Sequence, residues 1–341
     1  MIKNPRERDF VAFLRAAPHR LPSFLKLGLG DDAAIFKPTP GFESLLSCDL
    51  LIENVHFDLK CSSPWELGAK AVAASLSDIA AMGGIPRLYL VSLGIPKHPA
   101  LSPQFFDALY SGMRAWSESF GAYLAGGDST ATRGPLVIDI FILGEIEKGR
   151  ALLRSGARPG DLVYCSGHPG DAAAGLACLR QKKILKTSNA VQRGAASLVV
   201  KRHLLPVPRC IAGRFLSTRR AASACIDISD GLASELHHLA TESKVAIDIE
   251  AEAIPLSASA WLVAKALRKD PLEWALSGGE DYELLFTVAP SKKRLLEREF
   301  SRMTGSNLTL IGRVKPGRAV RIRRKAAWKL LPDNGYEHEI F

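Results

Sequence analysis

Apolar positions change period several times along the chain, and each change predicts an element. Residues 5–16 carry Phe10, Val11 and Leu14 at helical spacing and predict a short amphipathic helix, followed by a proline-containing connector. Short apolar runs at 33–36 and 44–48 predict strands, joined through Lys37–Gly41 as a hairpin-type connection, and the second run continues to Phe57. Ser63-Pro64 predicts a helix start, because serine caps free amides and proline suits the first turn; the helix runs to about Met82, where Gly83-Gly84 stop it. Trp65, Val72, Leu76 and Ile79 give that helix a large apolar face, while Ala71, Ala74, Asp78 and Ala81 form a stripe of small residues interrupted by one carboxylate. A strand at 88–93 follows, then a helix from Ser102 to Phe120 whose Phe106, Leu109, Met113, Trp116 and Phe120 are core by spacing. Residues 122–125 read as a strand entering a loop at Gly126-Gly127-Asp128-Ser129-Thr130. In the run 136–144, Ile138, Ile140 and Ile142 alternate with Val137, Asp139, Phe141 and Leu143, which predicts a strand with two unlike faces.

The second half opens on a basic, turn-rich connection at 150–161, which suits a boundary near residue 148 between domains 1–148 and 149–341. A strand at 162–166 leads through glycines into a helix, residues 181–200 contain another, and Pro206-Val207-Pro208-Arg209 breaks the chain before a helix at 210–219. The run 224–228 predicts a strand feeding a helix with Leu232, Leu236 and Leu239 on one face. A turn at Gly278-Gly279-Glu280-Asp281 enters a further strand.

Composition narrows the class. At 341 residues the chain exceeds the size of one ordinary core, so two domains are expected, and 47% hydrophobic with 23% charged residues is globular usage. The net charge of +10 suits an anionic ligand, but the basic residues are dispersed, with short clusters only at 182–183, 219–220 and 321–325. Six cysteines form no C-x-x-C pair and no zinc spacing, which reads as reduced thiols in a cytoplasmic protein. The N-terminus lacks a signal-peptide core, and no uncharged apolar run reaches ~18 residues. Neither a membrane nor a nucleic acid is expected as partner.

Seven aspartates, at 31, 32, 49, 78, 128, 227 and 230, fall at predicted strand ends, in loops or on the small-residue helix face. Ionised carboxylates in apolar settings need a cation or a proton. Each also has a plainer reading: Asp31 and Asp32 as a solvated turn, Asp78 as a surface residue, Ser229 or Asp230 as a helix cap. Asp227, between Ile226 and Ile228 in a strand, is harder to dismiss. Scattered hard oxygen donors without Cys or His partners suit Mg²⁺ shared with phosphates, and hence phosphoryl chemistry. No Gly-Lys pair occurs, so a P-loop is excluded, and the protein-kinase signature is absent.

Six segments occur in the order found in thiamine-monophosphate kinases: Gly28-Leu29-Gly30-Asp31-Asp32, the run from Ser47 to Phe57, Leu76-Ser77-Asp78, Gly126-Gly127-Asp128-Ser129-Thr130, Asp227-Ile228-Ser229-Asp230-Gly231, and Gly278-Gly279-Glu280-Asp281-Tyr282. Over about residues 27–338 the chain resembles that family, within a superfamily that includes aminoimidazole ribonucleotide synthetase, selenophosphate synthetase and a hydrogenase maturation protein. The resemblance implies an α/β N-terminal domain whose sheet forms a barrel across a homodimer, plus an α+β C-terminal domain. It implies direct transfer of the γ-phosphoryl of ATP to thiamine monophosphate. By motif, Asp32, Ser47, Asp49, Asp78, Asp128, Asp227 and Asp230 would hold several Mg²⁺ ions, Gly127, Asp128, Arg154 and Ser229 would contact ATP, and His56, Glu280 and Tyr336 would line the thiamine side. Three positions depart from the pattern: Cys48 for Thr, Ser75 for Asn, and Glu339 for Phe after His338. Other readings are a relative using ATP on another acceptor, or a noncatalytic nucleotide or nucleic-acid binder; a selenophosphate synthetase would need a reactive N-terminal Cys that residues 1–30 lack.

Overall fold

The computed structural model describes residues 21–29, 31–181 and 189–336. The helix expected at 5–16 lies outside them. The chain divides into two units, residues 1–79 with 85–148, and residues 80–84 with 149–341.

In the first unit, strands β1 (Leu25–Leu27) and β2 (Ile35–Phe36) pair with each other, followed by β3 (Phe42–Ile52), helix α1 (Pro64–Ala81), β4 (Ile85–Pro96), α2 (Pro103–Ser119), β5 (Tyr123–Thr132) and β6 (Val137–Glu147). Both long helices start as expected. Ser63 Oγ accepts the Glu66 amide at 3.2 Å while Glu66 Oε2 accepts the Ser63 amide at 2.8 Å, a reciprocal capping box, and Ser102 Oγ accepts the Phe105 amide. Two glycines then let α1 and α2 touch backbone to backbone, since a Cβ on Gly68 would stand 2.0 Å from Leu109 O and one on Gly112 2.0 Å from Trp65 O. The open four-stranded sheet has the order β3-β6-β4-β5, with β4 and β5 parallel and the other pairs antiparallel. Ile138, Ile140 and Ile142 are buried on the face that carries α1, where Ser75 reaches Ile140 O and Ile79 lies against Gly144. On the opposite face Leu25 packs with Leu88, Ala125 and the rings of Phe24 and Phe36, whereas Leu46 and Leu50 of β3 remain 63% and 50% exposed.

Four expectations for this unit are corrected. Lys37–Gly41 does not close a hairpin: β2 pairs with β1, and β3 pairs along its whole length with β6, from Phe42↔Glu147 to Ile52↔Val137. The second run stops at Ile52, because Asn54 takes φ +66° and the amides of Asn54 and His56 bond Phe57 O and Ile52 O, so His56 sits in a turn. Gly126–Thr130 is strand rather than loop, continuing β5 beside β4 after a register shift between Tyr89 and Leu90. Trp116 and Phe120 are half-buried rather than core, Trp116 meeting Trp65 and Phe120 edge-on at 6.4 and 6.2 Å.

The second unit contains β7 (Leu162–Ser166), α3 (Asp171–Arg180), α4 (Ala190–Leu204), α5 (Cys210–Thr218), β8 (Ala224–Ile228), α6 (Leu232–Ser243), β9 (Ala246–Glu250), α7 (Ala258–Leu267), α8 (Pro271–Ser277), β10 (Glu283–Val288), α9 (Lys293–Thr304), β11 (Leu308–Lys315), β12 (Val320–Arg324) and β13 (Ala327–Leu330). Its sheet has the order β13-β12-β9-β11-β7-β10-β8, antiparallel except for β9 and β12. Strand alternation divides the core in two. Val163, Ile226, Ile228 and Leu285 join Leu232, Leu236 and Leu239 on one face, while Leu162, Tyr164, Leu284 and Phe286 join Phe215, Leu296 and Phe300 on the other. Residues 80–84 pack here because Gly213 lets α5 meet Ala80 O, and Gly83 O accepts Arg214 Nη1 at 2.9 Å.

Candidate active site

In the first unit, strand alternation brings Ser47 and Asp49 to the helix-bearing face, and Ser75 and Asp78, three apart on α1, meet them. Ser75 Oγ donates to Asp49 Oδ2 at 2.6 Å, and Ser47 Oγ donates to Asp78 Oδ2. Burial pushes the Asp49 carboxyl up to about 6, the negative charge of Asp78 adds to this, and the Ser75 hydroxyl opposes it. Two carboxylates and two hydroxyls form a hard-oxygen donor set, a chemistry that fits a divalent cation keeping waters and phosphate oxygens as its other ligands. Ser75, assigned no role from sequence, is therefore part of the cluster. Cys48 is not: it points to the other face, donates to Asp139 Oδ1 at 3.1 Å, and has its thiol raised to about 11 first by that bond.

Asp49, Ile140, Val91 and Gly127 form one cross-strand row, and Ser92 pairs with Asp128. Gly127 is required by close approach, as a Cβ there would stand 2.0 Å from Val91 O. Asp128 and Asp32 are exposed; Asp128 accepts the Ser129 amide, and the Asp32 amide donates to Asp31. Among the described residues no three acidic, His or Cys side chains close on a common metal position. His56 Nδ1 accepts the Ile52 amide at 3.0 Å, which leaves the proton of the neutral ring on Nε2.

In the second unit the sequence-predicted residues gather around one turn. Asp227 is buried in β8, and Gly231 is the N-cap of α6 with no side-chain cap, so neither Ser229 nor Asp230 caps the helix. Instead Glu235 folds back from the first turn of α6, its Oε1 3.3 Å from the Asp230 amide and 3.4 Å from Ser229 Oγ. Glu235 is 2% exposed. Burial pushes its carboxyl up to about 8, and the charge of Asp227 adds to this, while Arg154 acts in the opposite sense. Sequence reasoning missed Glu235; the available signal was a glutamate beside Leu236 and three residues from Leu232, on the buried side of an amphipathic helix. Arg154 is exposed on a segment that borders β8, where Leu153 O accepts the Cys225 amide at 2.8 Å.

The loop before β10 closes the same turn. Glu280 N donates to Ser229 O at 2.7 Å and Tyr282 N to Ile228 O at 2.9 Å, while a Cβ on Gly279 would stand 2.3 Å from Ser229 O. Glu280 and Tyr282 adopt φ of +69° and +50°, a strained conformation for residues with side chains. Tyr336 N donates to Asp230 O at 3.1 Å, which brings Tyr336 to the same place. Ser229, Asp230, Glu235, Glu280 and Tyr336 thus share one backbone framework.

The AIR synthase related protein N-terminal domain matches residues 30–146, and its C-terminal domain matches residues 158–325. Thiamine-monophosphate kinase of Bacillus subtilis is 38% identical over 318 residues, covering 93% of this chain and 94% of that one. The Salmonella typhimurium enzyme of that name is 38% identical over 290 residues, covering 85% and 84%. Among solved structures, thiamine-monophosphate kinase from Stenotrophomonas maltophilia superposes with a TM-score of 0.80 at 32% identity, covering 94% of this chain and 96% of that one. AaThiL complexed with AMPPCP and TMP superposes at 0.76 with 34% identity, covering 88% and 89%. With both domains matched and relatives this similar along most of their length, the chain belongs to the thiamine-monophosphate kinase family and is an enzyme of that family.

Proposed function

We propose that this enzyme transfers the γ-phosphoryl of ATP directly to the phosphate of thiamine monophosphate, giving thiamine diphosphate and ADP. The observation that carries the reading is the turn at Asp227–Asp230, where oxygen donors for a phosphate-bound cation stand beside Glu280 and Tyr336 in a chain whose relatives are named for this reaction. Asp32, Ser47, Asp49, Asp78, Asp128, Asp227 and Asp230 would hold Mg²⁺. When bound, Mg²⁺ neutralises phosphate oxygens and so supplies most of the charge stabilisation that in-line transfer needs. Gly127 and Asp128 offer backbone and carboxylate at exposed positions of a strand, and Ser229 and Arg154 would complete the ATP contacts, Arg154 as a fixed positive charge. Glu280 and Tyr336 offer a carboxylate and an aromatic face to a cationic thiazolium, with His56 on the same ligand. No side chain forms a phosphoenzyme.

The N-terminal unit is assigned ATP and metal binding and dimerisation, and the C-terminal unit the completion of nucleotide and substrate sites. The exposed Leu46 and Leu50 on an open sheet face support a homodimer in which two such sheets meet. A cytoplasmic location follows from the substrates.

The test is purified protein with Mg·ATP and thiamine monophosphate, scored for thiamine diphosphate, beside Asp78→Asn. Wild type should form product and the variant at least ~100-fold less, as expected when a ligand to the transition-state charge is lost. Wild-type protein that hydrolyses ATP without making thiamine diphosphate, or that acts equally well without Mg²⁺, would overturn the reading.

A further inference from the structure

Helix α3 starts at a residue that cannot cap it. Its N-cap is Gly170, at φ +91° and with no side-chain cap, and a Cβ there would stand 2.7 Å from the Ala275 amide nitrogen of α8. The first amides of a helix have no acceptor within the helix, so a buried start must find one elsewhere. Gly170 and Ala172 are both buried, and Asp281 supplies their acceptors from more than a hundred residues along the chain: Oδ2 accepts the Gly170 amide at 2.6 Å and Oδ1 the Ala172 amide at 2.9 Å. A carboxylate also suits the positive end of the helix.

The same residue stands between the two costly conformations of its loop. Glu280 and Tyr282, on either side of it, hold φ of +69° and +50°, and their amides go to Ser229 O and Ile228 O. The backbone at 280 and 282 thus bonds toward β8, while the Asp281 carboxylate between them reaches α3. Left-handed residues that carry side chains persist only where their surroundings hold them, and a two-point carboxylate contact placed between them is such a hold. The loop's ends are fixed separately, by the Gly278 amide on Trp274 O at 2.9 Å and by Glu283, which takes a two-point contact from Arg209 together with the Ser166 hydroxyl at 2.6 Å. Asp281 ties down the centre.

The geometry points to Asp281 as a positioning residue that keeps the backbone of Glu280 against Ser229 and so maintains the acceptor side of the site. This rests on the assignment of Glu280 to the thiamine side given above. Both Asp281 oxygens are engaged at the start of α3, so the residue acts on the acceptor through the backbone of its loop. Ser229, by contrast, directly follows β8, which is held by its own pairing with β10 from Ala224↔Thr287 to Ile228↔Glu283. Loss of the Asp281 contacts should therefore weaken capture of the acceptor and spare that of ATP.

The experiment compares Asp281→Asn with wild type in steady-state kinetics with ATP and thiamine monophosphate, and in amide hydrogen exchange read by mass spectrometry on peptides covering residues 278–283. Asparagine keeps one acceptor oxygen and turns an N–H against the second amide. Asp270→Ala is the control, since it removes an N-cap from α8 in the same unit, where Asp270 Oδ1 accepts the Leu272 amide at 3.0 Å. Asp281→Asn should raise KM for thiamine monophosphate about tenfold, with kcat and KM for ATP within about threefold of wild type, the size expected when one charged contact is displaced. Exchange over 278–283 should quicken at least about tenfold as the loop opens locally. Asp270→Ala should melt lower than wild type yet keep all three constants within about twofold. An unmoved KM for thiamine monophosphate, a rise shared by both KM values, a loss confined to kcat, the same rise in Asp270→Ala, or unchanged exchange would each overturn the proposal. If Asp281→Asn does not fold, Asp281→Ser takes its place with the same expectations, and failure of both to fold makes Asp281 a folding residue and ends the idea. Wild-type protein inactive on thiamine monophosphate removes the activity assignment and this inference together, whereas active wild type with an unmoved KM in the variant removes the inference alone.

Discussion

At the scale of single residues, the site's chemistry is set by carboxylates held where charge is costly. Glu235 is the clearest case, a buried acid whose neighbour Asp227 is also an acid, with a carboxyl pushed up to about 8. Because its folded value lies above the unfolded 4.5, its stabilising contribution is complete below about 4.5 and is lost as pH rises through about 8. In metal-free protein, Glu235→Gln should therefore melt with wild type at pH 4 and increasingly above it as pH rises to 8.5, as followed by calorimetry in a chelator. Mg²⁺ should narrow the gap at the higher pH, since a cation offsets the same repulsion that the proton offsets. A variant that melts below wild type at both pH values would mean that the Glu235 contacts with Ser229 and Asp230 matter more than its charge.

At the scale of elements, α1 and α2 show which local interactions hold the first unit's helical layer. The capping box at Ser63 and Glu66 lies at a solvent-exposed helix start, so Ser63→Ala should cost about 1 kcal/mol. Gly68 lies where the backbones of α1 and α2 meet, and a methyl group there collides with Leu109 O, a backbone atom that cannot step aside. Gly68→Ala should cost about 2–3 kcal/mol or more, since the two helices must separate along their length. Urea denaturation that ranks Ser63→Ala as the more harmful of the two would contradict this account of α1. Because Ser75 and Asp78 ride on the same helix, the Gly68 variant should also lose activity, whereas the cap variant should keep it.

At the scale of the whole molecule, the open sheet of the first unit leaves two leucines of β3 uncovered among the described residues of this chain, on the face opposite α1. Leu46→Glu combined with Leu50→Glu should convert a dimer to monomers in sedimentation velocity, with little change in the monomer's own melting, because neither side chain is buried within the chain. A wild-type monomer, or a double variant that remains dimeric, would exclude this face as the interface.

Much of the architecture was legible in the order of residues. Period and caps located the helices at 64–81 and 103–119, the alternation in β6 set Ile138, Ile140 and Ile142 on one face, which the fold buries, and the Leu232, Leu236 and Leu239 stripe of α6 is wholly buried. Among the candidate acids, Asp49 and Asp78 meet through Ser75 and Ser47, and the backbone of Glu280 meets that of Ser229. Period reports which face of an element is covered, and that is a local property. It does not report by what. The pairing of β3 with β6, the continuation of β5 through Gly126–Thr130, and the approach of the Glu280 loop to Ser229 depend on residues dozens apart competing for the same partners. So the sequence by itself determined the elements and the supply of oxygen donors, and the tertiary structure decided which donors share a charge, because Coulomb and hydrogen-bond energies depend on distance in space and not on separation along the chain.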